Sequence, residues 1–82
     1  MTPISTAAAQ QMMADALDEP VASVVPDRSR DSMAGWDSMG ALALMAELDD
    51  RFGIQLTSDE SLQMLKVGDM LAYLRERGAL TD

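Results

Sequence analysis

The sequence predicts an all-α fold, a small bundle of helices, and three observations carry that expectation. Ala41, Leu44, Met45, Leu48 and Phe52 fall at i, i+3, i+4, i+7 and i+11, which draws one continuous apolar stripe along a helix. Val67, Met70, Leu71 and Leu74 repeat that spacing near the end of the chain. With 82 residues, the chain is expected to form one domain, residues 1–82. A chain of this size buries only about 60% of its unfolded surface, so its core must be economical, which suits a single layer of helices.

Taken in order, Met1 to Ile4 reads as a loose lead-in. Ser5 or Thr6 can cap a first helix that runs to about Leu17, with Ala9, Met12, Met13, Ala16 and Leu17 on its buried side. Asp18-Glu19-Pro20 ends it. Residues 21–34 form a long connection, in which Val24, Val25 and Met33 are expected to tuck against the helices. The second helix starts at Ser38 and stops at Gly53. Ile54 and Leu56 alternate in an extended stretch that can bury both. Thr57 or Ser58 caps a short third helix, Asp59 to Met64, whose Asp59 and Glu60 suit its positive end. Val67 to about Arg77 is the final helix, closed by Gly78, and residues 79–82 are expected to fray.

Composition removes several kinds of chemistry. There is no cysteine and no histidine, so a disulfide framework, a thiolate metal site and the usual serine-activating base are all absent. No catalytic and no metal-binding residues are expected, and any working thiol must come from a cofactor. Fourteen acidic against six basic residues give a formal charge of −8, which repels nucleic acid and anionic membrane surfaces. The longest low-polarity run, Met39 to Ala46, is too short to span a bilayer, and no basic region followed by an apolar one opens the chain. A cytoplasmic monomer is the expectation. Eight methionines, several at core-facing positions, point to an adaptable interior.

One stretch carries the functional signal. In Gly35-Trp36-Asp37-Ser38-Met39-Gly40, a serine sits where a loop becomes a helix, so its hydroxyl lies at the helix's positive end beside freed backbone N–H groups. That is a suitable place to attach a phosphate. Behind it, Met39, Leu42, Ala43 and Ala46 are apolar yet lie off the core stripe, and the helix finishes in Glu47, Asp49 and Asp50. Such a helix has apolar surface left over for a partner.

These residues, with Glu47-Leu48-Asp49-Asp50-Arg51-Phe52-Gly53-Ile54 and Val67-Gly68-Asp69-Met70, resemble the acyl carrier proteins of fatty-acid, polyketide and nonribosomal peptide synthesis. The resemblance covers nearly the whole chain. It implies an acyl-carrier-like four-helix bundle, three longer helices and a short third, with a long loop between helices 1 and 2. It implies that Ser38 carries 4′-phosphopantetheine, delivered from coenzyme A by a phosphopantetheinyl transferase, and that Asp37 helps present the site. It implies further partners among acyltransferases, ketosynthases or adenylating enzymes, and a handle for substrates rather than an enzyme.

Two departures from the fatty-acid type bear on those partners. Gly40 and Ala43 stand at two exposed helix positions where that type usually shows acids, so Asp49 and Asp50, with Glu47, become the main charged contacts. Met39, Leu42 and Ala46 are then expected to supply the grip. Trp36 before Asp-Ser fits a discrete carrier of a specialised pathway such as polyketide synthesis. An aminoacyl or peptidyl carrier, and a bundle whose Ser38 is never modified, are the rival readings.

Overall fold

The computed structural model describes residues 2–82 and contains four α-helices: α1 (Thr6–Leu17), α2 (Ser38–Phe52), α3 (Ser58–Leu62) and α4 (Val67–Glu76). No extended sheet joins them among the described residues, only single bridges at Ile4 with Leu80 and at Ser29 with Lys66. At the start of each helix a side chain accepts from a backbone N–H. The Ser5 hydroxyl accepts from the Ala8 N–H, settling which residue caps α1. On α3, the Thr57 hydroxyl accepts from Glu60 while the Glu60 carboxylate accepts from Thr57, and that second bond holds the Glu60 carboxyl below its ordinary range. Asp69 does the same for α4, accepting from the N–H groups of Leu65 and Lys66. Gly53 closes α2 at φ 65°, the left-handed conformation that a Cβ disfavours, and returns its N–H to the Asp49 carbonyl.

The core is one cluster drawn from every α-helix but α3, which contributes only the buried Ser61. Met12, Met13 and Leu17 of α1 meet Leu44 and Leu48 of α2 and Met70 and Leu74 of α4, all essentially without exposed surface. The predicted stripes are the buried faces, apart from Ala16 and Met45, which are half-buried at its edge. Ile54 and Leu56 are buried as the alternation required.

Several expectations need correction. Of the two neighbouring valines in the long connection, Val24 is buried, but Val25 points out at 43% exposure. Consecutive residues of the non-helical stretch after the Val21–Ser23 turn face opposite ways, and the Val24 carbonyl is fastened to the Gln10 side chain. α3 stops at Leu62 rather than Met64. The chain leaves the helix there because Leu65 to Gly68 run alongside Pro26 to Arg30, through Arg30 N–H to Leu65, Val67 N–H to Arg28 and Gly68 N–H to Pro26. Met64 turns inward to the core instead.

The two chain ends are also more ordered than expected. Ile4 donates to Ala79, Thr81 donates to Ile4, and the Asp82 carboxylate accepts from both the N–H and the hydroxyl of Thr6. Those bonds hold the Asp82 carboxyl below its ordinary range. Ala79 is fully buried, so residues 79–82 do not fray, and the lead-in is tied at Ile4. Met1 lies outside the described residues.

The largest correction concerns Gly40, expected on the exposed face and found buried. A Cβ there would collide with the Gly35 carbonyl oxygen and sit 2.9 Å from Leu17 Cδ2. A Cβ on Gly35 would in turn collide with the Leu17 carbonyl oxygen. Replacing a helix-interior glycine by alanine ordinarily gains about 1 kcal/mol. Here the colliding group is a backbone carbonyl that cannot swing aside, so overpacking falls at the upper end of about 1–3 kcal/mol and Gly40→Ala is expected to lose about 2 kcal/mol net. Thermal melts followed by circular dichroism should show Tm falling by about 4 °C or more. A rise in Tm would mean the contact is loose.

Candidate functional site

The start of α2 is built by Asp37. Its backbone is extended, and its carboxylate accepts from the Gly40 N–H at 2.9 Å, closing the first turn. Ser38 is then the first helical residue, exposed, and its hydroxyl makes no hydrogen bond among the described residues. The preceding turn is fixed from beneath. Trp36 is 4% exposed, packed in the core, and the Gly35 N–H donates to the Glu19 carboxylate at 2.9 Å. Sequence reasoning assigned Trp36 no packing role. Its indole N–H is buried without a protein partner among the described residues.

Beside Ser38 lies a cavity of about 240 Å³ between α2 and α3. Ala41, Leu42, Met45 and Leu62 give it apolar walls, Ser58 and Ser61 contribute from α3, and Arg30 from the long connection. Arg30 donates to the carbonyls of Ser61 at 2.8 Å and Met64 at 3.5 Å, and its guanidinium lies 5.4 Å from the Trp36 ring centroid. Sequence reasoning named Ser58 only as a possible helix cap and gave Arg30, Ser61 and Leu62 no role. Leu62 carried a signal: its side chain lies off the inward face marked by Ser61 and Met64, so it is left at 67% exposure. Arg30, one charge in a loop that also holds Asp27 and Asp31, carried none.

The expected contact residues divide three ways. Met39 at 80% and Leu42 at 61% exposure are open apolar surface, with Ala46 exposed further along. Asp49 and Asp50 are exposed and have no ion-pair partner among the described residues. Glu47 is not free, since Arg51 binds it at 2.7 Å across one helical turn. Ala43 is half-buried and borders a second hollow, of about 410 Å³, between α1 and α2. On this side Gly40 is a packing requirement and offers no contact.

Ser38 has no hydrogen-bonded base beside it among the described residues, and the chain holds no histidine to act as one. The family model for the phosphopantetheine attachment site matches residues 7–74, from α1 to α4 and through Ser38. The chain belongs to the phosphopantetheine attachment family. Acyl carrier proteins are among the proteins it resembles. The one from Exiguobacterium sp. is 25% identical over 68 residues, 83% of this chain and 86% of that protein. The one from Syntrophus aciditrophicus is 25% identical over 72 residues, 88% of this chain and 90% of that protein. The one from Nitratidesulfovibrio vulgaris is 28% identical over 67 residues, 82% of this chain and 88% of that protein. As a member of this family the chain is a carrier and not a catalyst, and its cofactor is 4′-phosphopantetheine.

The geometry fits such a group. An open hydroxyl stands at the first turn of a long helix, next to an apolar cavity and a cation that could face a phosphate. Asp37 ends the loop and starts α2 by capping it. Asp37→Ala is expected to cost about 1 kcal/mol through loss of the cap. Amide hydrogen exchange should then quicken at Met39 and Gly40 ahead of the rest of α2. Unchanged exchange there would show that the cap is redundant.

Proposed function

We propose that this carrier holds acyl intermediates on an arm joined to Ser38 and presents them to the enzymes of a specialised, polyketide-type pathway. The observation that carries the attachment is Ser38 itself. It is exposed, unbonded, preceded by the capping Asp37, and inside the span matched by the family model. When bound, the arm supplies a terminal thiol that carries cargo as a thioester. The chain's own part is to offer the hydroxyl of Ser38, which gives up its proton as its oxygen displaces adenosine 3′,5′-bisphosphate from the pyrophosphate of coenzyme A, and to hold it clear of the core. Metal and base for that step come from a phosphopantetheinyl transferase.

Partner enzymes would read the surface around that serine. Met39 and Leu42 on α2 and Leu62 on α3 are exposed apolar side chains on either side of the cavity, a grouping that a soluble chain seldom leaves uncovered without use. The specialised pathway rests on Trp36 and on neutral Ala43, because Gly40 is excluded from charge by packing and carries no docking information.

Two measurements test the reading. Incubation with a broad-specificity transferase and coenzyme A should add one arm, and Ser38→Ala should add none; an arm on the alanine variant would place the site elsewhere. Acyl loading by an acyltransferase should then exceed aminoacyl loading by an adenylating enzyme, and the reverse makes the chain a peptidyl carrier.

Docking is expected to depend on apolar contact. Burying a leucine is worth about 1.5–3 kcal/mol, and an exposed ion pair about 0–1 kcal/mol. Leu42→Ala should therefore raise the KM of the transferase for the carrier by about tenfold, and Asp50→Asn by less than about fivefold. A larger effect of Asp50→Asn, lost at high salt, would reverse the assignment.

A further inference from the structure

Arg30 is employed differently from the other cations of this acidic chain. Arg51 pairs with Glu47 at 2.7 Å, and Arg77 with Glu60 at 3.4 Å. The Arg75 Nε faces the Asp82 carbonyl at 3.5 Å, and Arg28 spends its fork on Ser32. Lys66 is exposed and borders no part of the cavity. Arg30 has no carboxylate partner among the described residues, although the chain holds fourteen acids. Its bonds to the Ser61 and Met64 carbonyls use Nη1 alone, leaving Nε and Nη2 without a hydrogen-bond partner among the described residues.

The fold explains only part of this arrangement. A tie from the long connection to α3 needs one N–H donor, which a neutral glutamine could supply. A half-buried guanidinium pays for its lost hydration unless an anion or several acceptors face it. The cavity beside it contains no such anion, but it contains Ser38.

We propose that Arg30 is a positioning residue for the phosphodiester that joins the arm to Ser38. The proposal rests on the attachment reading above. The bond from phosphorus to the Ser38 oxygen limits where the anion can lie, and Arg30 lines the same cavity as Ser38. The negative charge already present makes the cation useful. Asp37 stands next to Ser38 in sequence, and a formal charge of −8 already opposes a further anion. Apolar Ala41, Leu42, Met45 and Leu62 reduce solvent screening on the cavity side, and the planar fork matches two phosphate oxygens. Trp36 beneath and the two carbonyls beside it keep the guanidinium from swinging away. The base of the arm would thereby be held along the α2–α3 cavity instead of turning freely in solvent.

The test compares apo and arm-bearing protein, with attachment at Ser38 first verified by mass. At low salt the arm-bearing wild type should melt about 2–4 °C above the apo protein, and the gap should close near 1 M NaCl. Arg30→Gln should abolish the gap and move the phosphorus resonance of the arm, whereas Arg28→Gln should leave both as in wild type. Because each variant is its own apo reference, any structural loss caused by the substitution cancels. Should Arg30→Gln not fold, the wild type still decides: its phosphorus resonance must move between low and high salt. A gap retained in Arg30→Gln, or a resonance indifferent to salt, overturns the role of Arg30 while leaving the attachment intact. A chain that accepts no arm at Ser38 overturns the attachment reading, and this proposal falls with it.

Discussion

The rest of the structure depends on one close approach, where the last turn of α1 meets the entry to α2. The Leu17 carbonyl lies where a side chain on Gly35 would be, and the Gly35 carbonyl lies where one on Gly40 would be. Two missing Cβ atoms let the backbone of α1, the turn and α2 stack almost in contact. Interiors tolerate little overlap, so this contact fixes both the direction in which α2 leaves the turn and the residue at which it begins. Asp37 then caps the helix from the only position available to it, and Ser38 emerges on the solvent side. The glycine that makes the packing possible and the serine that makes the site useful are two residues apart for that reason.

The long connection serves the site more than its irregular course implies. It is tied along Leu65 to Gly68 by backbone bonds, and by the Arg30 guanidinium to the Ser61 and Met64 carbonyls. Those ties hold α3 opposite α2, and the gap they leave is the cavity beside Ser38. Trp36 fills the space under Arg30, and the stacked pair connects core to cavity wall. The acidic surface is separate from this machinery. Asp49 and Asp50 lie at the far end of α2, three turns from Ser38, and neither borders the cavity.

Much of this was legible in sequence wherever a residue's role follows from its near neighbours. The spacing of Ala41, Leu44, Leu48 and Phe52 marked the buried face of α2, and the alternation of Ile54 and Leu56 marked an extended buried stretch, because helix and strand periods impose those spacings. Ser5 or Thr6, Thr57 or Ser58, and Gly53 marked helix ends because capping joins residues three or four apart, and the structure chose Ser5 and Thr57. The Asp-Ser-Met context singled out Ser38 in the same way.

What the sequence by itself determined, then, was the number of helices, their buried faces and the exposed serine at the start of the second. The tertiary structure decided everything that rests on residues far apart in the chain. Gly40 looked like an uncharged docking position, and it is a packing position, because the group pressing on it comes from Leu17 and Gly35. Residues 79–82 looked free, and they are pinned, because their partners Ile4 and Thr6 lie at the opposite end of the sequence. Arg30 looked like one charge among several, and its place beside Ser38 appears only when the connection folds against α3. Local periodicity records which side of an element is apolar. It carries no record of which distant backbone will arrive there, and that arrival sets the space each side chain is allowed to occupy.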